Sequence, residues 1–233
     1  MKTTKRNQTG LTLIELLVII AVIAIFASMI GIPRPRDKAR AKRIQCTSNL
    51  KQVGLAFRIS QTEFDIYPQS RSVTNRGAME SLLAGNVAAV FQVMSNELVT
   101  PKILFCPTDK KRIQANSFGG EGQKDGRGTN YFRSNTNVSY FVGVDAKDTS
   151  PQMFLAGDDN FLIGGERHRN NGMPVQPGVI SLTTNIPVAW SDERHEKQGN
   201  IGLADGSVQG FSSSALLKAL ANTGDETNRL AMP

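Results

Sequence analysis

The run from Leu11 to Ile32 constrains the chain most. It holds 22 residues, of which only Thr12, Glu15 and Ser28 are appreciably polar. Drawn out as a helix it is about 33 Å long, against the roughly 30 Å hydrocarbon core of a bilayer. Its length and uniform apolarity predict a membrane-spanning helix. A cleaved secretory signal would have a shorter apolar core and a small-x-small cleavage site, and the stretch Phe26-Ala-Ser-Met-Ile-Gly-Ile-Pro33 offers none. A plain signal anchor fits the length but leaves Glu15 unexplained, since a carboxylate at that depth costs about 2.5–3.5 kcal/mol.

The string Gly10-Leu11-Thr12-Leu13-Ile14-Glu15-Leu16 stands between a short leader bearing Lys2, Lys5 and Arg6 and the unbroken apolar run. It resembles the processing site of type IV pilins and type II secretion pseudopilins. The resemblance implies cleavage by a prepilin peptidase between Gly10 and Leu11, N-methylation of Leu11, and Glu15 as the fifth residue of the mature chain. Cleavage would create an α-amino group on Leu11. In a bundle of such helices that ammonium and the Glu15 carboxylate of a neighbour can offset part of each other's desolvation. The same resemblance implies a single-pass protein of the bacterial inner membrane, its C-terminal domain in the periplasm or on the cell surface. Its partners would be prepilin peptidase, other pseudopilin subunits, an inner-membrane assembly platform and membrane lipid.

Three segments are expected: a cytoplasmic leader over 1–10, a transmembrane and stalk helix over 11–58, and an extracytoplasmic domain over 59–233. Pro33 and Pro35 predict a kink just past the membrane run. Cys46, Leu50, Val53 and Phe57 then fall on one helical face, with Lys42, Arg43, Gln45, Asn49 and Lys51 turned mostly outward. A second helix is expected over 78–99, ended by Thr100-Pro101. Residues 115–137 are rich in Gly and Asn and read as loop. Strand-like runs follow at 138–144, 152–156, 186–190, 201–204 and 207–211, the last two joined by Asp205-Gly206 as a type I′ turn. A short helix over 213–221 and a loose tail after Gly224 complete an α+β fold, a small antiparallel sheet laid against a pilin-like stalk.

The formal charge is +7, and Lys2, Lys5 and Arg6 account for part of it. Residues 34–43 hold six basic residues and one acid, which reads as a solvated helix face meeting lipid headgroups. No aromatic residue is interleaved there to stack bases, so nucleic acid is not an expected partner. Cys46 and Cys106 are the two cysteines. They are a candidate disulfide tying stalk to domain, the alternative being two buried thiols, because spacing does not reveal their separation. Structural zinc is not expected, since its ligands would have to come from two cysteines and two histidines at scattered spacing.

His195 precedes Asp205-Gly206 by nine intervening residues. This spacing, with the stretches Gln45–Phe57 and Cys106–Asp109, resembles a pseudopilin-like group carrying a His-x9-Asp-Gly C-terminal signature. A hydrolytic reading would pair His195 and Asp205 with Ser191 or Ser207 as nucleophile. No nucleophile-elbow motif accompanies them and turn chemistry accounts for Asp205-Gly206, so His195 is expected to hold its loop near the hairpin and no catalytic residue is assigned. His168 shares with His195 a preceding Glu-Arg, which chance explains. No cofactor is expected; calcium is the one candidate ion, with Asp192, Glu193 and Asp205, or Asp158 and Asp159, as oxygen donors, but no ordered loop of alternating acids is present and no metal ligand is assigned. The sequence thus points to a non-enzymatic, pseudopilin-like subunit of a type II secretion-like filament. A type IV pilin or DNA-uptake pseudopilin is the alternative within that class, and a membrane-anchored periplasmic ligand-binding or enzymatic domain the alternative outside it.

Overall fold

The computed structural model describes residues 12–29, 35–119, 130–164 and 172–233. The chain divides into two units, Met1–Lys38 and Ala39–Pro233. In the first, α1 (Leu13–Met29) has 17 residues and is apolar on every side. Its large side chains from Leu13 to Phe26 are exposed. A helix that is apolar all round belongs in a larger core or a membrane rather than in water. At about 26 Å the described helix is shorter than the expected span. Among the described residues no helix is long and apolar enough to cross a membrane. Pro33 lies outside the described residues, and helix resumes with Pro35 as first residue of α2 (Pro35–Phe64), a position where its missing N–H would have no partner anyway.

In the second unit the expected stripe on α2 is buried: Cys46, Leu50, Val53 and Phe57 are at most 1% exposed. Phe57 meets Tyr67 and Phe91 edge-on, ring centres 5.9 and 6.1 Å apart. Asn49, expected outside, is buried and donates to the Phe105 carbonyl at 3.1 Å. The helix expected over 78–99 is three pieces: α3 (Met79–Leu83), α4 (Val87–Val93) and α5 (Ser95–Leu98). Gly85, at φ +86°, ends α3, with the N–H groups of Gly85 and Asn86 returning to the carbonyls of Leu82 and Ser81. The Asn86 side chain then caps α4 through the Ala89 N–H. Apolar periodicity runs through these breaks because Leu82, Val90, Phe91, Met94 and Leu98 all still face the core.

Val99 closes this region at φ +62°, ψ −41°, while Thr100 N–H bonds the Leu98 carbonyl at 2.6 Å. That is a strained γ-turn centred on a β-branched residue that is 83% exposed. Val99→Gly removes the strain without removing packing. Urea unfolding should show it more stable by about 1 kcal/mol, and an unchanged or lower stability would contradict the strain.

Among the described residues nine strands follow: β1 (Tyr140–Gly143), β2 (Phe154–Asp158), β3 (Phe161–Ile163), β4 (Met173–Pro174), β5 (Gly178–Leu182), β6 (Val188–Trp190), β7 (Gln198–Leu203), β8 (Val208–Ser212) and β9 (Asn228–Met232). Between the last two lies α6 (Ser213–Asn222). An antiparallel six-stranded sheet has the order β5-β9-β1-β2-β7-β8, and a three-stranded sheet the order β4-β3-β6. The inner strands β9, β1, β2 and β7 of the larger sheet are buried on both faces, while the edge strands β5 and β8 are partly exposed. Tyr140, Val142 and Ala231 join the core of α2 to α5, whereas Phe141, Leu230 and Met232 join a second core with Phe161, Trp190 and α6.

Two expectations are corrected here. The tail after Gly224 is not loose: β9 inserts between β5 and β1 and bonds both. The Asp205-Gly206 hairpin is not type I′, because Gly206 alone of the two has positive φ, at +86°. Gly206 N–H closes a turn on the Leu203 carbonyl, and Leu203 N–H reaches Ser207 across a one-residue bulge. That is the three-residue loop with glycine in the left-handed position.

Candidate functional site

Glu15 has a local partner. Thr12 precedes α1, and both its N–H and its hydroxyl donate to Glu15 Oε2 at 2.9 Å. The Glu15 N–H donates back to Thr12 Oγ1 at 3.3 Å. This reciprocal pair is a capping box, in which two of the orphan donors at a helix start are satisfied. The Thr-x-x-Glu spacing was visible in the sequence, so the carboxylate has a reason to stand at the head of α1 even in a single chain. Gly10 and Leu11 lie outside the described residues.

A second constellation, in the Ala39–Pro233 unit, arises from four separate places in the chain. Cys46 projects from the buried face of α2, Cys106 follows the turn Pro101–Leu104, Asp158 is the last residue of β2, and His195 sits in the β6–β7 loop. One donor atom from each lies within 4.8 Å of the other three, and all four residues are buried. Cys46 Sγ donates to Asp158 Oδ1 at 3.2 Å and contacts the Tyr140 hydroxyl at 3.4 Å. Cys106 Sγ is 3.3 Å from His195 Nε2, which is itself 3.4 Å from Asp158 Oδ2. Asp158 Oδ2 also accepts from the backbone and side-chain nitrogens of Asn200 at 2.7 and 3.0 Å. Among the described residues His195 Nδ1 has no hydrogen-bond partner. His195, Glu196 and Lys197 are consecutive residues at φ +51°, +54° and +62°. Each left-handed non-glycine residue costs about 1–2 kcal/mol, so the loop is held in a strained path that delivers the imidazole.

The electrostatics follow from burial and mutual contact. Cys106 is drawn down to about 5 by hydrogen bonding with Cys46, with His195 helping against burial. Burial opposes charge on His195, yet its bonds to Asp158 and Cys106 outweigh that and lift it to about 9. Burial likewise works against Asp158, but His195 and Arg194 hold it below the usual carboxylate range. Burial pushes the Cys46 thiol well up. A thiolate–imidazolium pair is the chemistry of a cysteine nucleophile. Here both cysteines are 0% exposed, so no substrate carbonyl reaches either sulfur. What the four groups do supply is two sulfurs, one imidazole nitrogen and one carboxylate oxygen, converging in the buried interior.

A buried ion network flanks them, built from residues close by in the chain. Arg194 pairs with Asp109 at 2.7 Å and with Asp159. Arg112 pairs with Asp159 at 3.0 Å, and Ser139 Oγ donates to Asp109 at 2.7 Å. The segments Cys106–Asp109, Asp158-Asp159 and Arg194-His195 thus each give one residue to the cluster and one to the network.

The sequence had singled out most of these residues and grouped them differently. Cys46 and Cys106 do come together, but as free thiols rather than a disulfide. His195 turns to Asp158 and Cys106, not toward Asp205, whose carboxylate accepts from Ser207 N–H at 2.8 Å within its own turn. The His-x9-Asp-Gly spacing therefore marks two unconnected sites. Of the acids considered for calcium, Asp158 belongs to the cluster and Asp159 to the ion network, while Asp192 and Glu193 pair with Lys197 and Lys111 at 3.5 and 2.7 Å. Arg43, in the basic segment, donates to Gln198. His168 lies outside the described residues. The fold gathers these four donors despite their scattered spacing in the chain, the fourth being an aspartate rather than the second histidine.

Residues 5–31 match the prokaryotic N-terminal methylation motif. That motif supports a type IV pilin-like or pseudopilin protein. It implies processing by prepilin peptidase and assembly with pilin-like subunits. No curated protein and no solved structure matches the chain.

Proposed function

We propose that this chain is a non-enzymatic, pseudopilin-like structural subunit. It is cut after Gly10, methylated on Leu11 and assembled through its N-terminal helix into an inner-membrane-based filament of a type II secretion-like system. The observation that carries the reading is the methylation motif over 5–31 with Glu15 at its fifth mature position. The all-round apolar surface of α1 supports it, because such a helix needs lipid or copies of itself for cover. The α+β unit lies in the periplasm or on the cell surface.

The capping box sharpens the test of Glu15. Glutamine keeps the cap, since a capping box accepts Glu or Gln, but removes the charge; alanine removes both. If Glu15 pairs with a neighbour's α-amino group, Glu15→Gln and Glu15→Ala should both be processed normally and both fail to assemble, read by filament pelleting and crosslinking. Assembly by Glu15→Gln alone would reduce Glu15 to a helix cap. Intact mass and N-terminal sequencing of the membrane-derived chain should give N-methylated Leu11. A chain still beginning at Met1 would sink the proposal.

A further inference from the structure

We infer that Cys46, Cys106, Asp158 and His195 bind one zinc ion in a closed, structural, tetrahedral site. Zinc prefers four ligands of this kind, with thiolate sulfur at about 2.3 Å and nitrogen or oxygen at about 2.0–2.2 Å. Tetrahedral geometry then places neighbouring donors about 3.3–3.8 Å apart. The donor separations in the cluster are 3.2, 3.3 and 3.4 Å for Cys46–Asp158, Cys106–His195 and His195–Asp158. Asp158 faces Cys46 with Oδ1 and His195 with Oδ2, and one donor atom from each residue lies within 4.8 Å of the other three, so small shifts bring the four groups to the corners of such a polyhedron.

Donor chemistry selects the ion. Two soft thiolates and an imidazole favour zinc over calcium or magnesium, which want oxygen. Complete burial leaves no open coordination position, so the site holds structure and activates no water. His195 ligates through Nε2, the nitrogen that faces Cys106 and Asp158. Both sulfurs ligate as thiolates and the imidazole as its neutral form, the displaced protons passing to solvent. Outside the ligands, Asn200 orients Asp158 through two hydrogen bonds and the Tyr140 hydroxyl abuts Cys46. Such supporting contacts are the usual companions of a metal site.

The ion would do what the expected disulfide was to do, and more. It joins α2, the Cys106 loop, the end of β2 and the His195 loop, elements far apart in the chain, whereas a disulfide would join two of them. It also gives the left-handed path of His195 to Lys197 a source of compensation, because the metal–nitrogen bond rewards the conformation that delivers the imidazole. A buried thiol pair needs neither the imidazole nor the carboxylate.

The test uses the full chain, purified without chelator. Elemental analysis should give one zinc per chain, and intact mass should show both cysteines reduced. Cobalt exchanged into the same protein should give the intense visible bands of a tetrahedral ion and a thiolate-to-cobalt charge-transfer band. Neither measurement requires a variant to fold. Asn200→Leu, which keeps all four ligands, should weaken zinc about tenfold or more. A metal-free chain lighter by two hydrogens would overturn the proposal in favour of a disulfide. A metal-free chain with two titratable thiols would overturn it in favour of a plain hydrogen-bonded cluster. Zinc retained in full by Cys46→Ser/Cys106→Ser would place the ion elsewhere and overturn it too.

Discussion

Arg194→Met should destabilise the chain by about 3–5 kcal/mol, the range for removing one partner of a buried ion pair. The guanidinium is 5% exposed in its side chain and faces two buried carboxylates, Asp109 and Asp159. Methionine fills much of the volume but leaves those carboxylates short of a cation. Arg112 still serves Asp159, and Ser139 with the N–H groups of Lys111 and Arg112 still serves Asp109. Burial already pushes Asp159 above the ordinary carboxylate range with both arginines present, so losing one raises the cost of its charge further. The loss also frees the Ser139 carbonyl, which now accepts from Arg194 at 2.8 Å. Lys111→Met is the control: its bridge to Glu193 is as short, at 2.7 Å, but the side chains are 63% and 48% exposed. It should cost under about 1 kcal/mol. Urea unfolding of both variants reads the difference. Equal, small costs would mean that the buried network contributes nothing beyond a surface pair. Adding Asp159→Asn to Arg194→Met should recover part of the loss, because it removes the charge that the arginine had compensated.

What the sequence disclosed depended on whether the cause was local. The apolar run, the methylation motif, the α2 stripe and α6 each rest on periodicity or spacing within one segment. All of these were legible, although the described α1 covers less than the full apolar run. The three-way break of the helix over 78–99 was hidden because α3, α4 and α5 bury the same apolar stripe, and only Gly85 with Asn86 marked the first break. Strand β9 was hidden for a related reason. Asn228-Arg-Leu-Ala-Met232 reads as part of a loose tail, too short to show a pattern, and it becomes a strand because β5 and β1 offer hydrogen bonds on both sides. The cluster was half legible. Cys46 and Cys106 drew attention as a candidate disulfide, His195 as the residue holding its loop, and Asp158 among the acids weighed for calcium. Their meeting is a property of sheet order, which brings the end of β2 beside β7 and beneath α2, and no spacing rule encodes that. The repeated pairing of a cluster residue with a network residue, in Cys106–Asp109, Asp158-Asp159 and Arg194-His195, was the one signal within reach.

Trp190→Ala should be the largest single loss in the second core, about 3–5 kcal/mol. The indole is fully buried and stacks on Phe161, ring centres 4.6 Å apart and planes 22° off parallel. Its other contact explains a glycine. A methyl group on Gly199 of β7 would lie 2.3 Å from the Trp190 ring carbons Cη2 and Cζ3. Gly199→Ala therefore overpacks this core and should cost about 1–3 kcal/mol. The two substitutions act on one contact, so they should not add. With the indole gone, the alanine methyl enters the space it left, and the double variant should be more stable than the sum of the singles by about 0.5–3 kcal/mol. Urea unfolding of the four chains closes the cycle. Strict additivity would mean that Gly199 is not there for the tryptophan. A positive coupling would establish the close approach of β7 to Trp190 as what ties the small β4-β3-β6 sheet to the larger one, and so holds in place the loop from Ser191 that carries Arg194 and His195 into the buried cluster.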